Sequence, residues 1–549
     1  MNFRRLHFGQ WLVVMLVLLL FGNSPLVAKK FYLDDPLIKE PVPLHVDDVT
    51  LLRLSQYFDF FHHTLATPGD LNTEKRKKHQ EMIRAKAVNT VGEPMDGAWY
   101  THRHYWKPMG LEELARGPGG TTPPSSRGKW TIVSAKTQGI TPGFTMVDSA
   151  NRKYFVKFDS PSYPELATAA ETIVSRFLYA LGYHVDDNYL IRFDRNKLVL
   201  GEDVQITDRR GRKRLMTQRD LNEILIKSAE SRDGGYRAIA SLQLPGKDVG
   251  RFRFYGVRRD DPNDTVPHEH RRELRGYYVF CAWLNHDDSR AINTLSTLVE
   301  EKGIRYIRHH LQDFGSTLGS GTERPKSPRA GGDYLFEWDP TLKHMFSLGL
   351  SVPYWAHAKF PKYPSVGTFE SKVFRPDEWY PEYPNPSFLN RLPDDDFWAA
   401  KQVMAFTDEQ IRAIVKTGQY SYPDAEKYVA DCLIARRDKI GKVFFAKVLP
   451  LDLFEVRDGQ LVFIDLSKKH GMGDAGPPQV NWSLFDNETE KKVTLDGERS
   501  FALPKDSLTG GTKYYGAEIS RSGDAKRTIT VYVRCRDSQA EVVGVDRFW

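Results

Sequence analysis

The chain has 549 residues, 40% of them apolar and 27% charged, with a formal net charge of +7. That length exceeds a single domain and that composition is ordinary for a folded protein, which excludes wholesale disorder and a membrane-embedded body. The three cysteines, Cys281, Cys432 and Cys535, are scattered and include no C-x-x-C pair, which argues against a disulfide framework, and no polybasic tract with interleaved aromatics points to nucleic acid.

Arg4 and Arg5 precede the apolar run Trp11 to Phe21, followed by Asn23-Ser24-Pro25-Leu26-Val27-Ala28. This order of basic, apolar and small residues is that of a secretory signal peptide over residues 1–28, and the run is shorter than the roughly 20 residues of a spanning helix. Export, periplasmic or secreted, is therefore expected, with no transmembrane segment in the mature chain. Cleavage after Ala28 removes two arginines and no acid, leaving +5. That mild excess suits an anionic ligand and a solvated mixed-sign surface equally well.

Residues 29–128 read as an N-terminal extension: Pro-rich at 36–43, helical through Leu51 to Leu65, strongly charged at Glu74 to Lys78, and closed by the turn-rich linker Gly117 to Ser126. From Lys129 the pattern is strand-like. Trp130 to Val133 is followed by a Gly-containing turn, and Phe144 to Asp148 with Tyr154 to Phe158 form a hairpin that carries Lys157. Leu166, Ala170, Ile173, Phe177 and Leu181 recur at helical spacing, predicting a helix over 164–181. A further hairpin is expected from Tyr236 to Leu244 and Gly250 to Val257, then a helix from Pro267 to Leu284 in which Cys281 is an inert buried thiol. Strands follow at 292–299 and 304–311, helices at 395–416 and 423–445, and a small all-β region over 450–549.

The helix ending at Leu284 runs into Asn285-His286-Asp287-Asp288-Ser289-Arg290-Ala291-Ile292-Asn293, and one hairpin later comes Asp313-Phe314-Gly315. The spacing His286-x-Asp288-x-x-x-x-Asn293 matches a kinase catalytic loop and Asp313-Phe314-Gly315 the metal-binding D-F-G. Singly, either is most simply a loop cap or a turn; in this order behind a helix they read as functional. Phosphoryl transfer needs a carboxylate to orient and deprotonate a hydroxyl, here Asp288, and hard oxygen ligands for Mg²⁺, here Asn293 and Asp313.

Upstream, Lys157 fits the strand lysine that meets the phosphates. Its glutamate partner is either Glu165, in the first helical turn where it would complement the macrodipole, or Glu171, beside the apolar stripe where an unpaired carboxylate is costly. Glu171 is favoured. Gly139 and Gly143 could let a loop cover phosphates or could belong to an ordinary hairpin turn. The charged stretch Arg258 to Glu273 reads as a helix start capped by Asp264 or Thr265, ahead of a substrate loop and, weakest, a metal cluster at His268 and His270.

On these motifs, residues 130 to about 445 resemble the atypical kinases of the HipA and CotH type. The resemblance implies an α+β, bilobal protein-kinase-like fold, with a β-rich N-lobe and a helical C-lobe over 129–449, flanked by the 29–128 extension and the C-terminal β domain. It implies ATP and Mg²⁺ or Mn²⁺ as cofactors, Lys157 and Glu171 at the phosphates, Asp288 as base with Lys157 and His286 as further catalytic residues, Asn293 and Asp313 on the metal, and a Ser/Thr protein or a glycan as acceptor. No A-P-E motif follows Asp313, so an ordinary peptide platform is not implied. A nucleotide-binding pseudokinase scaffold and an AMP transferase are the alternatives.

Overall fold

The computed structural model describes residues 29–66, 82–119, 122–136, 141–207, 212–231, 234–336, 352–473, 476–497 and 499–549. The expected signal peptide, the charged run at 74–78 and Gly139 lie outside the described residues. The chain is α+β and divides into two compact units. The larger comprises Leu37–Asp452, Ile464–Ala475 and Arg547–Trp549, so residues 37–128 belong to it rather than forming a separate body. Among the described residues no helix is long and apolar enough to cross a membrane.

In the larger unit, helix α1 (Gln56–Phe61) and α2 (Leu111–Arg116) precede a six-stranded sheet. Its strands are β1 (Trp130–Ala135), β2 (Gly143–Val147), β3 (Lys153–Phe158), β4 (Asn188–Phe193), β5 (Leu198–Leu200) and β8 (Tyr236–Leu242), in the spatial order β4-β8-β3-β2-β1-β5. A two-stranded ribbon of β6 (Gln205–Thr207) and β7 (Lys213–Leu215) and helix α4 (Gln218–Ile226) are inserted before β8. Along β3, Tyr154, Val156 and Phe158 are buried in the sheet's core, so the two-residue period turns Lys157 to the other face.

Helix α3 (Leu166–Ala180) follows β3 directly. Asp159, one residue past β3, starts it by accepting hydrogen bonds from the backbone N–H groups of Glu165, Ala167 and Thr168 at 2.9, 2.8 and 2.9 Å. These are the donors a helix N-terminus leaves unpaired.

The second expected hairpin does not form. β8 ends at Leu242, the chain turns at Gly246, and β9 (Lys247–Gly250) pairs with β10 (Thr294–Glu301), itself paired with β11 (Ile304–Leu311), in a separate three-stranded sheet. The alternation at 251–254 that imitates a strand arises from Phe252 and Phe254 entering the core singly, and the Phe252 N–H is satisfied by Thr294 Oγ1 at 3.0 Å instead of a ladder partner. Helix α5 (Arg272–Leu284) begins later than Pro267, because a short 3₁₀ turn at His268–His270 and an extended Arg271 intervene.

The expected helix at 395–416 is two helices, α7 (Pro393–Met404) and α8 (Asp408–Lys416); α6 (Pro386–Leu389) precedes them and α9 (Pro423–Phe445) follows. Thr407 breaks the run with a capping box to Gln410, an internal T-x-x-Q signal. Phe177, Phe280, Trp283, Phe314 and Trp398 are almost fully buried in the core that these helices share.

At Leu453 the chain passes into the smaller unit along β12 (Leu451–Arg457) and returns along β13 (Gln460–Asp465) to the short helix α10 (Leu466–Lys469). The smaller unit is built on an antiparallel five-stranded sheet of β14 (Pro478–Phe485), β15 (Lys492–Thr494), β16 (Lys513–Arg521), β17 (Asp524–Arg536) and β18 (Gln539–Arg547). Phe31 packs on it, with ring centroids 5.9 Å from Phe485 and 5.0 Å from Tyr532.

Candidate functional site

Lys157, Glu171 and Asp313 converge. Lys157 Nζ lies 2.8 Å from Asp313 Oδ1 and 3.6 Å from Glu171 Oε2. Glu171 is 2% exposed at its side chain and also faces the backbone N–H groups of Phe314 and Gly315, so the helix glutamate fastens both the strand lysine and the D-F-G turn. Glu165, the other candidate, is elsewhere: it accepts from the Ser421 N–H at 2.8 Å and from the Ser421 hydroxyl.

The loop from Asn285 to Asn293 is held from beneath. Asn285 ends α5 in the left-handed region at φ 48°, a conformation asparagine tolerates, and accepts from Trp379 Nε1 at 2.9 Å. Buried Arg436 on α9 donates to the last helical carbonyls, 2.9 Å to Trp283 O and 2.5 Å to Ala282 O, which would otherwise be orphaned. His286 is 2% exposed and its ring packs 6.0 Å from that of Phe314. It supports the D-F-G phenylalanine from inside the core, and burial holds its pKa down to about 4.

Strand register brings Asn293 and Asp313, the expected oxygen ligands, to one end of the hairpin. Thr294 pairs with Leu311 in the β10–β11 hairpin, and one step outward the Gln312 N–H donates to Asn293 O at 3.1 Å, which sets Asn293 beside Asp313. Asn293 Nδ2 donates to Asp288 O at 2.8 Å, and its amide oxygen has no protein partner among the described residues. Asp313, at φ 64°, has a side chain 49% exposed. One carboxylate and one amide oxygen fit Mg²⁺ or Mn²⁺, which keep water and phosphate oxygens in the remaining positions. Among the described residues no group of three or more His, Cys, Asp and Glu side chains could hold a metal ion by itself.

Burial alone would lower the Lys157 ammonium, but Asp313 and Glu171 outweigh it and raise it above the ordinary lysine range. Lys157 in turn holds the Asp313 carboxyl below its usual value, while burial raises Glu171. Asp288 is ion-paired to Arg290, whose Nη1 lies 3.2 Å from Glu382 Oε2; Lys326 pairs with Asp287 and stands 4.0 Å from Glu382. Burial, and then the Asp288 charge, push Glu382 up to about 7.

Gly143 opens β2 as the register partner of Lys157. Lys326, Glu382 and Asp186 are members of the site that sequence reading does not single out. Asp186, pushed up to about 7 by burial and by Glu171, follows α3 and matches no motif. Arg290, two residues after Asp288, is not singled out by sequence reading either. The stretch 258–273 is structural: Asp264 accepts from the Arg258 N–H at 2.6 Å and pairs with His268 at 2.8 Å. Cys281 is fully buried. Comparison with family models, curated proteins and solved structures finds no match to this chain.

Proposed function

We propose that the larger unit is a bilobal protein-kinase-like catalytic domain and that the protein is an ATP-dependent phosphotransferase acting on a hydroxyl of a protein or glycan acceptor. The observation that carries the reading is the Lys157 ammonium standing between Glu171 on the following helix and Asp313 of D-F-G, 2.8 Å from the latter. Phosphate groups are met by such a lysine once a helical glutamate fixes its position. The order of the sheet, the helix carrying the glutamate, and the catalytic-type loop placed before a hairpin and D-F-G also support it.

In this reading Asp288 orients the acceptor hydroxyl and takes its proton as the oxygen attacks the γ-phosphorus. The bond from that phosphorus to the bridging oxygen breaks, and ADP leaves. Arg290, fixed between Asp288 and Glu382, aims the Asp288 carboxylate. Asn293 and Asp313 would hold the divalent cation, which supplies neutralisation of phosphate charge when bound. The reading includes export, carried by the sequence of residues 1–28.

The test is incubation of residues 29–549 with ATP labelled at the γ- or the α-phosphate, with Mn²⁺ or Mg²⁺ and an extract of the native compartment. Transfer of γ-label that is lost in Asp313→Ala is the expected result. Transfer of α-label assigns AMP transfer, and transfer of neither label refutes an active transferase.

A further inference from the structure

Lys136, just past the end of β1, lies in line with Lys157 across the sheet. Ala135 pairs with Phe144, the Lys136 N–H donates to Gly143 O at 3.3 Å, and Gly143 pairs with Lys157. Residues directly opposite on antiparallel strands share a face, and two strand spacings separate the outer pair by roughly 10 Å. The position between them has no side chain. The Lys136 stem occupies that gap, because a Cβ on Gly143 would lie 3.3 Å from Lys136 Cδ as well as 2.2 Å from Val156 O.

Lys136 also lines a groove of about 1000 Å³ together with Thr141, Ser160, Tyr163 and Arg324. Among the described residues no carboxylate pairs with Lys136, whose Nζ donates to Thr141 Oγ1. Of the nearby acids, Glu171 and Asp313 are already engaged with Lys157, and Glu323, which lines the same groove, forms no ion pair with Lys136. Burial and the neighbouring Lys157 charge hold Lys136 down to about 8 although Asp313, Glu171 and Glu323 pull the other way, so its ammonium is left without a paired carboxylate.

We propose that Lys136 is a second phosphate-binding cation, forming with Lys157 a two-lysine clamp that straddles Gly143 and grips the polyphosphate of a nucleoside triphosphate. The inference rests on the phosphotransferase reading and adds to it the residue that recognises the chain of phosphates rather than a single one. A multiply charged anion relieves the repulsion between the two ammonium groups and supplies the charge-assisted hydrogen bonds that Thr141 alone cannot.

Equilibrium binding of ATP, ADP and AMP to the full chain, with matched unfolding midpoints as the folding control, tests it. Lys136→Met should weaken ATP about tenfold or more and AMP less than about twofold, while Lys136→Arg stays within about threefold of wild type for ATP. Calorimetry near pH 8 in two buffers of different ionisation enthalpy should show proton uptake on ATP binding by wild type that Lys136→Met loses. Equal losses for ATP and AMP, or no loss for ATP, overturn the clamp and leave the phosphotransferase reading standing. A wild-type chain that binds none of the three nucleotides sinks both.

Discussion

Asp313 holds the ammonium of Lys157 at 2.8 Å although 156 residues separate them in the chain. The contact ties the third strand of the sheet to the end of the β10–β11 hairpin, and Glu171 closes it from the side with Oε2 at 3.6 Å. Two carboxylates and one ammonium make the group sensitive to which member is removed.

Removing the cation is the costlier change. Lys157→Met leaves Glu171 buried without its counter-charge and should destabilise the larger unit by roughly 3–5 kcal/mol. Glu171→Gln keeps an acceptor for the Phe314 and Gly315 N–H groups and should cost less than about 2 kcal/mol. Urea unfolding compares them; equal losses would show that the pair contributes no more than its hydrogen bonds.

Asp288→Asn retains size and loses the proton acceptor. Phosphate transfer should fall by about 10²–10⁴-fold while ATP affinity stays within about twofold, measured by label incorporation and equilibrium binding. A matching fall in affinity would assign Asp288 to nucleotide binding instead.

Asp159→Ala strips three N–H groups and the Thr168 hydroxyl of their acceptor at the start of α3. A loss of about 2 kcal/mol or more is expected, with faster amide exchange at Ala167 and Thr168. Asp159→Asn, which keeps one acceptor oxygen, should recover part of it. Unchanged exchange at those amides would assign the cap elsewhere.

Two buried histidines contribute a pH-dependent part of the larger unit's stability. Burial holds His184 and His286 down to about 4, below the ordinary histidine value of 6.5, so the folded protein refuses protons that the unfolded chain takes up. The stability these rings contribute is complete above pH 6.5 and is lost as pH falls toward 4, up to about 3 kcal/mol for each. Glu382 and Asp186, pushed up to about 7, gain stability over the same range, so the histidine contribution is read as a difference between variants and not from the sign of the whole slope. His184→Gln, which can still donate to Gly97 O as the ring does at 3.0 Å, should shift the change in urea stability from pH 7.5 to pH 5 by about 2 kcal/mol in its favour relative to wild type. A His184→Gln chain with the same pH dependence as wild type would contradict the assignment.

Much of this was legible in the sequence where local pattern and tertiary demand agree. The β2–β3 hairpin, α3, β11, α9 and the favoured Glu171 carry periodicity or a costly buried charge that reads directly. Where an alternating run met a competing demand, the reading failed: Phe252 and Phe254 alternate as in a strand but are inserted singly into the helical core. Arg271 and Thr407 interrupt apolar runs that look continuous, through backbone geometry and a side-chain cap. Within the site, the groups tied to short spacings were visible. Lys136, Asp186, Lys326 and Glu382 were not, since only register and long-range folding bring them in.

The β10–β11 hairpin also says where this protein can be modified. Its register carries Asn293 and Asp313 to one end, while the other end is the exposed turn at Lys302 and Gly303, both with positive φ at 53° and 79°. A peptide epitope or fluorophore tag grafted between those two residues lengthens only the tip, because loop closure grows slowly with length. A single residue added within either strand would instead flip every following side chain to the opposite face and separate Asn293 from Asp313.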